Sequence, residues 1–311
     1  MKKTTFLSFS LATLLTSSSI LPISTRPLYE SLEFFLSMSD TVKNFGINLL
    51  KRNVLASKLN DASDSVKQFC YNELKKIGIT NPTKEVCIKE GSQKLNFDAA
   101  FRNCKTHQGG IILSKISCRV IEYVNCNEKQ EKEMLKNLYN EVASIQQAPL
   151  PKNYKQTLMQ NKEKMRGKIK FIVQHEGGHV KNQDIPKYMT SSLIIPFSVY
   201  LFPKLFMPLF MKNQYDKKYS WYRKLGYSLA VSFVKTCTSF GIFSAYSKKH
   251  EQMADNGTEN NPEILQGGID FLNDVLISSQ GKDAFTLTHP RIKTRINKLQ
   301  ERLDTLQNKQ V

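Results

Sequence analysis

His175-Glu176-Gly177-Gly178-His179 places two imidazoles and a carboxylate at the spacing that zinc chemistry requires. Residues four apart lie one above the other on a helix, so both histidines can offer a ring nitrogen to one metal ion. Glu176 lies next to them, where it can take a proton from water at the open side of the metal. The apolar run before the motif predicts a helix that enters the core. This stretch therefore predicts a zinc-binding helix.

A zinc hydrolase needs a third protein ligand and an open fourth position. The best candidate is Glu251, in the stretch His250-Glu-Gln-Met-Ala-Asp255. Glu251, Ala254 and Asp255 stand at i, i+3 and i+4, so they share one helix face. The small Ala254 permits close helix packing, and Asp255 can bond a histidine ligand and fix its tautomer. The sequence thus predicts one zinc ion per chain, bound by Glu251 and the two histidines.

A third element is Thr288-His-Pro-Arg-Ile-Lys-Thr-Arg-Ile296, at the start of a C-terminal amphipathic helix. It contributes two polar groups, His289 and Arg295. Taken alone, the stretch is a helix start with a solvated basic face.

Together the three elements resemble the gluzincin peptidase family that includes the CAAX prenyl protease and the bacterial membrane protease HtpX. That family carries His-Glu-x-x-His, then Glu-x-x-Ala-Asp, then His-Pro followed by Arg-Ile, and order, identities and spacing match here. Residues 180–184 are similar to the continuation of its first motif, and residues 96–115 resemble its edge strand less specifically. The resemblance covers approximately residues 95–300.

The resemblance implies a zinc metalloendopeptidase with His175, His179 and Glu251 as zinc ligands and Glu176 as general base. Asp255 would orient a ligand histidine.

Two further residues would then lie near the metal, Arg295 and His289. His289 would stabilise the oxyanion of the tetrahedral intermediate or bind zinc in a resting enzyme. The residues do not choose between these roles.

Substrate binding is also expected by analogy with the family. The edge strand near Ile111, Ile112 and Leu113 would align an extended peptide by strand addition. The expected substrates are unfolded or membrane-adjacent proteins, in cell-envelope protein quality control.

The alternative is a catalytically silent member of the fold that acts as a membrane-associated binding or chaperone-like module. Retention of Glu176 argues against it, because a structural zinc site needs no base.

The formal net charge of +18 comes from 45 basic and 27 acidic residues. Such an excess is typical of proteins that bind nucleic acid or an anionic membrane surface. The lysines are spread along the chain, however, and no basic motif is interleaved with aromatic residues. We therefore predict no nucleic-acid partner.

Residues 1–25 have the features of an export signal, with Lys2 and Lys3 before a short apolar run and a Ser/Thr-rich stretch. An uncleaved anchor that extends to about residue 24 is the alternative. Either one predicts a location in the cell envelope, in a bacterial periplasm and associated with the membrane.

Five of the six cysteines cluster between Cys70 and Cys126, which would permit two disulfides and one remaining thiol.

The predicted fold class is α+β and mainly α-helical, a zincin-type domain with a small sheet. We expect a helical region at 26–90 and the metallopeptidase domain at 91–311. Two apolar segments, 191–210 and 225–246, flank the basic stretch Lys212–Lys224 and predict an apolar helical hairpin inserted between the metal-binding helices. They either span or rest on a membrane, or form buried core helices.

Gly177-Gly178 departs from the bulky-small pair usual inside the motif. Two glycines within a helix cost roughly 1 kcal/mol each relative to alanine. They either loosen the metal helix or allow another element to approach closely, and neither effect removes a ligand.

Overall fold

The computed structural model describes a large part of the chain. The described residues are 49, 51, 53–92, 97–103, 106, 108–146, 150–151, 153–188, 190–192, 194–195, 221–280 and 289–309, without the side chains of 145–146, 221–236 and 240. The predicted export segment and most of the basic stretch and of the first apolar segment therefore lie outside the described residues. The chain divides into two compact units, 1–39 with 196–236 and 40–195 with 237–311. In the first unit only 221–236 are described, and they are helical.

The described residues form a mainly helical fold with a three-stranded sheet, which confirms the predicted α+β class. The elements run in the order α1 (Asp64–Lys76), α2 (Pro82–Glu85), β1 (Val86–Glu90), β2 (Ala99–Arg102), β3 (Gly109–Leu113), α3 (Lys115–Asn125), α4 (Glu128–Gln146), α5 (Tyr154–Gln160), α6 (Lys162–Lys181), α7 (Trp221–Asn256), α8 (Pro262–Ser278) and α9 (Ile292–Asn308). Residues 53–56 and the described residues between 184 and 195, which follow α6, are also helical. The inserted hairpin stays a prediction, because its first segment is largely undescribed.

The strand order is β1-β3-β2, with β1 parallel and β2 antiparallel to β3. The edge position predicted for Ile111, Ile112 and Leu113 is therefore wrong, because these residues lie in the central strand and have no exposed surface. An unbroken apolar run is typical of a strand that is covered on both faces, and such a strand lies inside a sheet. Among the described strands, β2 is the edge beside the metal helix, with Ala100 opposite Ile111.

The boundary predicted at residue 90 falls inside this sheet. β1 lies before it and pairs along its whole length with β3, which lies after it. The outer side of β1 is partly covered, because the amide of Ala62 donates to the carbonyl oxygen of Ile88 at 3.1 Å. The region before residue 90 thus contributes a strand as well as helices.

Helix α6 runs through the core and packs against α1, the sheet and α8. Its buried face includes Ile169, Phe171 and Val173. At the crossing with α8 the two backbones touch, since a Cβ built on Gly267 would lie 2.1 Å from the carbonyl carbon of Gly167. This crossing fixes the position of the helix that carries both motif histidines.

Helix α7 contains the second apolar segment and ends just after the stretch that bears Glu251. None of the helices in the described part of the chain combines the length and the apolar character that a membrane span requires.

The cysteine cluster holds free thiols in the described region. Cys70, Cys87, Cys118 and Cys126 are unpaired, and Cys104 lies outside the described residues. The two disulfides that the cluster would permit are therefore not formed. Cys70 and Cys118 are buried and pack as small hydrophobic residues of the core.

Candidate metal centre

Three side chains from two helices converge at one point. His175 and His179 come from adjacent turns of α6, Glu251 comes from α7, and one potential ligand atom of each lies within 4.8 Å of the others. Nε2 of His179 lies 3.4 Å from Oε1 of Glu251, and Nε2 of His175 lies 3.6 Å from Oε2. All three residues are buried. The i, i+4 spacing of the histidines and the packing of α7 against α6 create this convergence.

These donors fit a zinc ion. Two imidazole nitrogens and one carboxylate are the ligand set of catalytic zinc sites that keep a fourth position open. Oε2 of Glu251 is buried and accepts no hydrogen bond from the described residues. A buried carboxylate oxygen without a donor is costly, and a cation at this point would remove the cost.

The electrostatics keep Glu251 ionised, as a metal ligand requires. Burial raises the pKa of Glu251, but the attraction of the neighbouring His175 and His179 rings outweighs it and holds the pKa well below its usual range. The carboxylate is thus available to a cation.

Asp255 lies behind the first histidine. Its Oδ1 is 2.9 Å from Nδ1 of His175, so Nε2 of that ring is left to face Glu251. Arg295 binds the same carboxylate with two bonds of 2.7 Å, from Nε and from Nη2. Burial raises the pKa of Asp255, but His175 and Arg295 outweigh it and lower the pKa to about 2. Arg295 therefore acts on the site through Asp255, and its Nη1 lies 3.9 Å from Oε2 of Glu251.

The second histidine also has a carboxylate behind it, which the sequence did not single out. Oδ2 of Asp184 lies 2.8 Å from Nδ1 of His179, and Oδ1 lies 2.5 Å from Nδ1 of His250. Burial lowers the pKa of His179, but the bonds to Asp184 and Glu251 outweigh it and raise the pKa to about 10. In the sequence, the only signal for Asp184 is the similarity of residues 180–184 to the family continuation, which by itself predicts no role for this residue.

The two motif glycines are explained by close packing on opposite sides of α6. A Cβ on Gly177 would lie 2.2 Å from Cδ2 of Leu74 in α1. A Cβ on Gly178 would lie 3.1 Å from Cα of Ala254, in the helix that carries Glu251. Of the two effects expected from the glycines, the structure shows the close approach of neighbouring elements.

Glu176 faces the edge of the sheet. The amide of Ala100 donates to its Oε2 at 2.5 Å, and the amide of Arg102 donates to Oδ1 of Asn53 at 3.2 Å. In an antiparallel pair, alternate residues direct their amides away from the neighbouring strand. Ala100 and Arg102 are therefore the outward-facing residues of β2. The predicted base therefore lies directly against the edge of the sheet.

A cavity of about 310 Å³ opens beside Glu176 and His175. Aromatic and aliphatic side chains form most of its wall, and Asp98 and Ser114 supply polar groups. Its lining residues are Phe97, Asp98, Ser114, Phe171, Ile172, His175, Glu176 and Phe271. The space is large enough for an apolar side chain of a bound peptide.

His289 lies beside the ligand carboxylate. Its Nε2 is 3.5 Å from Oε1 of Glu251, and its side chain is half exposed. This position is compatible with both predicted roles, oxyanion contact and metal binding at rest, and both stay predictions.

The three motifs therefore come together at one centre, and a comparison with known families tests what that centre is. Residues 154–303 match the model of peptidase family M48. The matched segment is slightly less than half of the chain and contains His175, His179 and Glu251. No curated protein and no solved structure gives a significant match. The match supports a gluzincin peptidase of family M48, and this family implies zinc metallopeptidase activity, in agreement with the ligand set.

Proposed function

We propose that this chain is a zinc-dependent metalloendopeptidase in which Glu176 acts as general base. The observation that carries the proposal is that the buried side chains of His175, His179 and Glu251 converge at one point, and Glu176 lines a cavity beside His175. When bound there, zinc supplies a Lewis acid that polarises a carbonyl and acidifies water.

The chain's own groups account for the remaining chemistry. Glu176 takes a proton from the attacking water and passes it to the leaving amine. His289, beside the ligand carboxylate, stabilises the oxyanion. The edge of β2 is the proposed place for an extended peptide, whose strand addition would replace the bonds from the amides of Ala100 and Arg102 to Glu176 and Asn53. An apolar side chain next to the scissile bond enters the cavity beside Glu176.

The proposed substrates are unfolded or membrane-adjacent polypeptides of the cell envelope, consistent with the export-type residues 1–25 and the apolar segments 191–210 and 225–246. Within this proposal the chain belongs to the branch with the CAAX prenyl protease and HtpX. A reporter fused within Lys212–Lys224 tests the membrane arrangement. A cytoplasmic signal supports a hairpin that places this stretch inside, and an external signal contradicts it.

The activity is tested by metal content and casein cleavage in the wild type and in Glu176→Gln. The variant keeps the metal ligands and the shape of the side chain but loses the base. We expect unchanged zinc content and a cleavage rate about 10²- to 10⁴-fold lower. The matched control is Glu163→Gln, the same change at an exposed position of the same helix, which should cleave at the wild-type rate.

The results separate the alternatives. Zinc with no cleavage in either protein favours a binding module that keeps the fold. A wild type without zinc contradicts both the enzyme and the zinc-dependent binding module. Cleavage that survives in Glu176→Gln removes that residue as the base.

A further inference from the structure

Each ligand histidine is supported by its own carboxylate. His175 has Asp255 at its Nδ1, and Arg295 holds Asp255 by two bonds. His179 has Asp184 at its Nδ1, and the other oxygen of Asp184 is occupied by His250. Nδ1 of His179 is hydrogen-bonded to Asp184, whereas Nδ1 of His175 lies 2.9 Å from Asp255 without an aligned hydrogen bond. His250 contacts Asp184 as Arg295 contacts Asp255.

The chain reverses direction after α6, and this reversal places Asp184 next to Nδ1 of His179. The helix ends at Lys181, and Gln183 adopts φ = 54°, a left-handed conformation that a non-glycine residue rarely adopts. The reversal returns Asp184 over the last turn of α6, where His179 lies. Asp184 has no exposed surface, so its two oxygens depend on donors from the protein.

His250 is held in place from two sides. Its ring lies 4.5 Å from the ring of Tyr246 and 5.5 Å from that of Tyr188, measured between centroids. Packing of this kind fixes the direction of Nδ1, which points to Asp184. His250 is adjacent to Glu251 in sequence but binds no ligand atom of the centre directly.

We propose that Asp184 and His250 form a positioning pair that fixes the tautomer and ring orientation of His179 and thereby sets the affinity of the centre for zinc. Because Nδ1 of His179 donates to Asp184, Nε2 is the nitrogen that faces the metal position, and it would give up its proton when zinc binds. His250 acts one step further away, by holding Asp184 in the orientation that serves His179. The inference rests on the zinc site of the proposed function and assigns to this site two residues outside its ligand set.

The test is the zinc dissociation constant of the full chain, measured by competition with a chromogenic chelator. Asp184→Asn keeps the shape but cannot accept from both histidines, and we expect zinc to bind about 10- to 100-fold more weakly. His250→Ala should give a smaller loss. His250→Gln, which can still donate an N–H, should recover part of it. The spectrum of the cobalt-substituted protein should change in Asp184→Asn, because the geometry at His179 changes.

The matched control is Glu73→Gln. Glu73 is a buried carboxylate that also bonds the metal helix, but it accepts from Gln174 and not from a ligand histidine. This variant should bind zinc as the wild type does. Thermal unfolding of the metal-free proteins shows whether each variant is folded.

A double variant distinguishes positioning from general stabilisation. If His250 acts through Asp184, then Asp184→Asn with His250→Ala binds zinc no more weakly than Asp184→Asn alone. Additive losses, or wild-type affinity in both folded single variants, would overturn the inference while leaving the proposed function intact. A wild type that binds zinc tightly but cleaves nothing would contradict the proposed function and leave the positioning pair standing. A wild type that binds no zinc would overturn both.

Discussion

Replacing Gly267 with alanine is expected to destabilise the fold strongly, although alanine is the better helix former. The new Cβ would lie 2.1 Å from the carbonyl carbon of Gly167, 2.3 Å from its oxygen and 2.6 Å from the amide nitrogen of Lys168. These are backbone atoms, so no side-chain rotation relieves the contact. Helices α6 and α8 must separate by about an ångström, since carbon atoms make favourable contact only near 3.5–4.0 Å.

The expected magnitude follows from two opposing effects. Overpacking a core costs typically 1–3 kcal/mol, and a backbone-to-backbone contact belongs at about the upper end of that range. The gain in helix propensity from glycine to alanine is about 1 kcal/mol. The free energy of unfolding should therefore fall by about 2 kcal/mol. Zinc affinity should fall with it, because α6 carries both ligand histidines.

The assay is urea denaturation followed by far-ultraviolet circular dichroism. The matched control is Gly241→Ala, at a helix position where no described atom lies within 4 Å of the added Cβ. This control should be unchanged or more stable by up to about 1 kcal/mol. A Gly267→Ala protein as stable as the wild type would refute the close crossing of α6 and α8.

Three further outcomes are expected. Gln183→Gly should raise the free energy of unfolding by about 1 kcal/mol in thermal denaturation, because glycine adopts the left-handed conformation without strain, and a loss of stability would contradict this. Phe271→Ala should lower kcat/KM about tenfold for peptides with a large apolar residue next to the cleaved bond and leave small residues unaffected, and an equal loss for both would remove the cavity beside Glu176 as a specificity pocket. Arg295→Lys should weaken zinc binding about tenfold in chelator competition, because lysine cannot make both bonds to Asp255, and wild-type affinity would show that one bond is sufficient.

The ligand set was predictable because its geometry is local. His175 and His179 are fixed by helix periodicity, and Glu251 and Asp255 share one face of a second helix. Only the approach of these two helices to each other depends on the tertiary fold. Asp184 was not predictable in the same way, because its position depends on a chain reversal at Gln183, a residue type that does not signal a left-handed turn.

For the sheet, the sequence predicts a strand correctly but not its position within the sheet. The apolar run at 109–113 indicated a strand, and it is one. Its assignment to the edge followed family analogy, whereas its composition favours a central strand. Strand β2 has only four residues, so its sequence pattern is weak and the element beside Glu176 is the harder one to recognise. The glycine pair was ambiguous for a related reason, since Leu74 and Ala254 come close to it only through tertiary packing.

Two contacts show that the metal centre depends on residues before position 154. Gly177 packs against Leu74, and the amide of Ala100 donates to Glu176. The recognisable segment 154–303 carries every proposed metal ligand, but it contains neither the helix that covers the back of the motif nor the strand that faces the base. If segment 154–303 were expressed alone, the backbone of α6 at Gly177 would be exposed to solvent, and the sheet edge proposed to bind the peptide would be absent. The part that a family comparison detects is therefore shorter than the part that has to fold together, and a minimal fragment should begin before α1.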